Sequence, residues 1–119
     1  MKNIACIFTH GPHGNTTGRE GLDALLAISA FCELLGVFFI GDGVLLLLTN
    51  QQPEQILMKN FVPLFNILPL YDINRLYLYA DSAIERGFDI NVDLILDVEW
   101  LPADIWNKNL YSYDHIITF

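Results

Sequence analysis

The stretch from Thr9 to Leu35 constrains the fold most, because a loop, His10-Gly-Pro-His-Gly-Asn-Thr-Thr-Gly18, runs straight into a long apolar segment. Before it, Ile4 to Phe8 is a short apolar run rich in strand formers. The order strand, Gly-rich turn, helix opens a βαβ unit. The spacing predicts a helix over Arg19–Leu35, with Gly36 where a C′ glycine belongs. After Glu20 its only charged side chains are Asp23 and Glu33, so apolar residues cover more than the stripe of about 100° that one sheet would bury. Either other parts of the same domain overlie this helix, or it lies at a permanent subunit contact.

Composition bears on that choice. Charged residues are 17% of the chain and apolar ones 53%, against an average of about 25% charged. So little charge on a small chain suggests surface hidden in an oligomer. A length of 119 residues suits a single domain over residues 1–119 with one three-layer core. The apolar runs Val37–Ile40 and Val44–Leu48 are separated by Gly41-Asp42-Gly43 and fall well short of the roughly 20 residues that span a bilayer. Met1-Lys-Asn leads into the first strand without an apolar h-region, so no signal peptide and a cytoplasmic location are expected. The net charge is −8, with three basic and five acidic residues in the first half and three basic and nine acidic in the second. Without a Lys/Arg cluster to grip phosphates, direct nucleic-acid binding is not expected, although an acidic surface could meet a basic partner protein.

Further along, Val37–Ile40 reads as a buried strand and Val44–Leu48 as the start of a short helix or turn. Pro53 fits N1 of a helix through Ile56, Leu57 and Phe61. A short helix is expected from Pro63 to about Leu68, bounded by prolines. Arg75–Ala80 is the third strand, with Tyr77 and Tyr79 on one face and Leu76 and Leu78 on the other. Asp81 or Ser82 caps a short helix ending at Gly87. A brief strand around Leu94–Val98, a helix from about Pro102 to Leu110 and a final strand His115–Phe119 complete the pattern. Strands alternating with helical segments give an α/β domain, three layers with a mostly parallel sheet of about five strands.

No active site stands out. Thr9–Gly18 could wrap phosphate at a helix N-terminus, but it matches neither G-x-x-x-x-G-K-[ST] nor G-x-G-x-x-G. His10 and His13, with distant His115 and Cys6 as a further candidate, fall short of a rigid set of metal ligands. A nucleophilic thiolate needs exposure and a cation or helix N-terminus. Cys6 is mid-strand, and Cys32 falls on the last turns of the predicted helix, where the dipole opposes a thiolate. Buried free thiols are the expectation for both. The residues therefore nominate no catalytic, cofactor-binding or metal-ligating position.

Several segments nonetheless carry a resemblance: His10-Gly-Pro-His-Gly, Gly18-Arg-Glu-Gly-Leu-Asp-Ala-Leu-Leu-Ala27, Val37-Phe-Phe-Ile-Gly-Asp-Gly43, Leu70-Tyr-Asp-Ile73, Glu85-Arg-Gly-Phe-Asp89 and Tyr113-Asp-His-Ile-Ile-Thr-Phe119. In order and spacing, along nearly the whole chain, they resemble the TusC/DsrF branch of the DsrE-like sulfur-relay proteins. The resemblance implies a DsrE-like α/β subunit that assembles with TusB-like and TusD-like subunits into a heterohexamer, two copies of each. Such a complex passes persulfide sulfur from a TusA-like donor to a TusE-like acceptor for 2-thiolation of the tRNA wobble uridine. The relay cysteine belongs to the TusD-like subunit, at the end of the third strand, eight residues before the glycine of an Arg-Gly pair. Counting back from Gly87 reaches Tyr79, and a phenol cannot carry a persulfide. Pro69 departs from the glycine of the family's turn. The implied role is a non-catalytic, structural subunit, its apolar contact surfaces being the first helix and Val44–Leu48. Two alternatives stand beside it. One is a flavodoxin-like small-molecule binder using Thr9–Gly18 and Gly41–Gly43, and the other an independent persulfide sulfurtransferase using Cys6 or Cys32.

Overall fold

The computed structural model describes residues 3–10, 17–32, 34–47, 68–89, 94 and 96–119. Five strands, β1 (Asn3–Phe8), β2 (Leu34–Phe39), β3 (Arg75–Tyr79), β4 (Glu99–Leu101) and β5 (His115–Thr118), form one sheet in the order β4-β3-β2-β1-β5. Every neighbouring pair is parallel. The helices are α1 (Thr17–Ser29), α2 (Ala80–Glu85) and α3 (Ala103–Leu110), with a 3₁₀ segment over Gly41–Leu47. The α/β class and the five strands are as the sequence implied.

Strand alternation sorts the core into two faces. Cys6, Phe8, Val37, Phe39, Leu76 and Leu78 look toward Leu22 and Leu25 of α1, Val44, Leu46 and Leu47 of the 3₁₀ segment and Ala83 of α2. Ala5, Phe38, Tyr77 and Leu101 look toward Trp106 and Leu110 of α3 and toward Tyr113. Tyr77 and Tyr79 do share a face, opposite Leu76 and Leu78. The topology follows from right-handed crossovers: three successive steps away from β1 stack their helical segments on one face, and the return from β4 to β5 carries α3 across the other.

The first helix is shorter than expected. It stops at Ser29, where the Ser29 hydroxyl donates to the Leu26 carbonyl at 2.7 Å and the Phe31 N–H to that of Ile28 at 2.9 Å. Leu34, Leu35 and Gly36 are already β2, paired with Asn3, Ile4 and Ala5. An unbroken apolar run does not distinguish a buried helix from a buried strand; the six-residue ladder with β1 decides it. Gly36 is therefore not a helix cap. A Cβ there would run into the Tyr113 phenol and the Phe38 ring, so glycine lets the aromatic layer of the second face close over the strand.

The fourth strand is displaced as well. Leu94 makes an isolated bridge and Leu96 is buried, but the ladder is Glu99–Leu101, set by pairing with Tyr77–Tyr79. Neither Asp81 nor Ser82 caps α2. Tyr79 holds the N-cap with extended backbone and no side-chain bond, and the helix ends at Glu85. Its stop is a Schellman motif: Phe88 N–H reaches the Ala83 carbonyl at 2.9 Å and Gly87 N–H that of Ile84 at 3.0 Å, with Gly87 at φ +82°. The same pair of bonds closes the turn after Pro69, from Ile73 to Leu68 and from Asp72 to Pro69, both at 3.1 Å. There Asp72 takes the left-handed conformation, at φ 60°. The expected helix after Pro53, and that over Pro63–Leu68 except Leu68 itself, lie outside the described residues.

Candidate functional site

In an open parallel sheet, chemistry gathers at the carboxyl ends of the strands. Here that edge holds Thr9–His10 after β1, Ile40–Gly43 after β2 and Tyr79–Ser82 after β3. Two of these turns are tied down by protein. Ile40 N–H donates to the Phe8 carbonyl at 3.1 Å, and Gly43 N–H to Ile40 at 3.0 Å. A Cβ on Gly43 would strike the Phe8 carbonyl. Gly43 thus serves a backbone-to-backbone approach, whereas Gly41 takes the left-handed conformation, at φ 61°.

The turn after β2 is bound in turn to α2. Buried Ser82 accepts the Gly41 N–H at 2.9 Å. Arg86 donates from Nε to Asp42 Oδ1 at 3.0 Å and from a terminal nitrogen to the Ser82 carbonyl at 3.0 Å. Asp42 is 64% exposed, so the ion pair itself contributes little, at most about 1 kcal/mol. The network holds the ends of β2 and β3 in fixed relation.

Tyr79 stands at the end of β3, half-buried, its ring edge-to-face with Trp106 at 5.1 Å. Trp106 also meets Phe38 edge-on at 5.0 Å. The position eight residues before Gly87 is therefore packed into the aromatic layer between β3 and α3, and it offers no thiol. The two thiols lie elsewhere. Cys6 is fully buried under α1, and burial, with Cys32 nearby, pushes its pKa up to about 12. Cys32 follows the helix rather than riding its last turns, is half-buried, and is likewise raised by burial. Both hold their protons at neutral pH, the opposite of the depressed pKa that activates a thiol.

The histidines do not converge. His10 follows the carboxyl end of β1, whereas His115 pairs with Ile4 near its start, a separation of about six strand residues or roughly 20 Å. The Thr9 hydroxyl donates its single proton to the Phe119 carbonyl at 2.8 Å. His10 Nδ1, 3.0 Å from Thr9 Oγ1, is then the donor to that hydroxyl oxygen. His13 lies outside the described residues, as does most of the His10–Gly18 loop. Among the described residues no three His, Cys, Asp or Glu side chains are grouped to hold a metal, and no helix is long and apolar enough to cross a membrane.

The apolar surface falls only partly where the sequence put it. Val44, Leu46 and Leu47 are fully buried in the chain's own core, so these three are not available to a partner; Leu48 lies outside the described residues. On α1, Leu22 and Leu25 are buried and Leu26 and Ile28 partly so, all packed on the core, leaving Ala27 facing out; beyond the helix Ala30 and Phe31 are exposed, Phe31 by 77%. Among the described residues the other large apolar side chains that are exposed are Leu70, Tyr71, Ile84, Ile105, Tyr111 and Ile116.

Comparison with known proteins agrees with this architecture. The family model described as DsrE/DsrF-like family matches residues 2–119. Among solved structures, the ychN protein from E. coli superposes with a TM-score of 0.81 over 100% of both chains, at 23% sequence identity. At that identity the likeness establishes the fold.

Proposed function

The chain belongs to the DsrE/DsrF-like family, and from that premise we propose that it is a non-catalytic structural subunit of a TusBCD-like sulfur-relay complex. Its partners are TusB-like and TusD-like subunits in a heterohexamer. The complex passes persulfide sulfur from a TusA-like donor to a TusE-like acceptor, for 2-thiolation of the tRNA wobble uridine in the cytoplasm. The observation that carries the reading is Tyr79. It occupies the strand end at which the relay thiol is expected, half-buried against Trp106, and a phenol has no transferable sulfur. The remaining thiols, with pKa values raised by burial, support the same division of labour, in which the sulfur travels on a partner's cysteine.

The test replaces both thiols. Cys6→Ser with Cys32→Ser should leave tRNA thiolation intact in cells, with Cys6→Ala alongside because a serine hydroxyl at a fully buried site is itself destabilising. Loss of thiolation while the hexamer still assembles would overturn the proposal. Native mass spectrometry of the complex captured through this chain should show two relatives of similar size, with sulfur only on a partner. A lone oligomer of this chain carrying sulfur would instead support the independent sulfurtransferase.

A further inference from the structure

At the opposite, amino edge of the sheet, an open cleft of about 350 Å³ lies at the starts of β3 and β4, with Asn74, Arg75, Tyr77, Asp97 and Glu99 on its walls. Tyr77 is in register with Glu99. Val98 packs on the first-face core, so its neighbours Asp97 and Glu99 turn to the face of Tyr77 and α3. The Tyr77 hydroxyl is engaged with that of Tyr113, and Arg75 is close enough to favour ionisation of the Tyr113 phenol. One wall of the cleft is thus cationic, on β3, and the other anionic, on β4.

Among the described residues, Arg75 has no carboxylate within ion-pairing distance, and neither Asp97 nor Glu99 has a cation, although all three line one cleft. A guanidinium fork matches a carboxylate, and a carboxylate matches an ammonium. A simple anion here would meet two like charges, and a simple cation would meet one. A ligand bearing both groups a few ångströms apart satisfies both walls. We propose that this cleft binds the zwitterionic head of a small α-amino acid. The volume lies at the low end of small-molecule sites, about 300–1,000 Å³, and has room for such a head. The inference stands apart from the relay reading and does not rest on it.

The test is a titration of the isotope-labelled full chain, followed by amide chemical shifts, with glycine, L-alanine, methylammonium and acetate as probes. Glycine and alanine should give saturable shifts at Arg75–Tyr77 and Asp97–Glu99. Arg75→Gln and Glu99→Gln should each weaken binding by about tenfold or more, the loss expected for one charged hydrogen bond. Both side chains are exposed, so the variants should melt like the parent. Absence of saturable shifts at millimolar amino acid would overturn the proposal. So would affinity unchanged in both variants, or methylammonium or acetate binding as tightly as glycine.

Discussion

At the scale of single residues, three glycines, one cysteine and one tyrosine carry the sharpest consequences. Gly36 and Gly43 sit where a methyl group would meet the Tyr113 phenol and the Phe8 carbonyl respectively. The Phe8 carbonyl is β1 backbone and the Tyr113 ring is buried, so Gly36→Ala and Gly43→Ala should each cost about 1–3 kcal/mol, read as a Tm several degrees lower. Gly87→Ala acts differently: nothing lies within reach of its Cβ, but its φ of +82° strains any other residue. The buried thiol gives a pH dependence. Cys6 titrates near 12 in the fold against about 8.5 when exposed. A raised folded pKa stabilises fully below the unfolded value and is lost as pH climbs toward the folded one. Thermal stability should therefore fall progressively above about pH 9, and Cys6→Ala should flatten part of that fall. Tyr113, also near 12 through burial and its contact with Tyr77, adds to the decline above about pH 10.

At the scale of elements, the bond between the 3₁₀ segment and α2 separates a buried polar contact from an exposed charged one. Ser82→Ala removes the acceptor of the Gly41 N–H from a buried position and should cost about 1–3 kcal/mol. Asp42→Asn breaks an ion pair whose acid is mostly in water and should cost less than about 1 kcal/mol. Chemical denaturation of the two variants checks the order; an equal or reversed cost would mean that the charge rather than the hydroxyl holds the two strand ends. The elements also show how far the sequence could be read. The alternation Leu76-Tyr77-Leu78-Tyr79 assigned each side chain of β3 to its face, because a strand's period of two needs no context. The run from Ala30 to Leu35 did not reveal its break. Apolar residues suit a buried helix and a central strand equally, and only pairing with Asn3–Phe8 makes Leu34–Phe39 a strand.

For the whole molecule, charge sets an expectation that fold alone does not. With a net charge of −8 and no basic cluster, the isolated chain should not retard tRNA in a gel-shift assay at physiological salt. Retardation that weakens with added salt would show that this chain itself grips nucleic acid. The candidate site was legible mainly as an omission: Tyr79 in the place of a thiol could be counted from Gly87, but its seating against Trp106 needed α3 laid across β3. The apolar surplus of the first helix was visible too, yet among its described apolar side chains only Ala27 is exposed once Leu22 and Leu25 find the sheet, and Ala30 and Phe31 follow the helix in the turn beyond it.

What the sequence determined by itself was the local grammar: alternating strands and helical segments, the two faces of β3, and an acidic chain poor in charge. These depend on side-chain chemistry and short-range spacing, which a sequence contains in full. Only the tertiary structure decided where β2 begins, why Gly36 has no side chain, that Val44–Leu47 belongs to the core, and that Arg75 faces Asp97 and Glu99 across one cleft. Each depends on residues far apart in the chain meeting across the sheet, and pairing between strands and packing between layers are properties of the assembled fold.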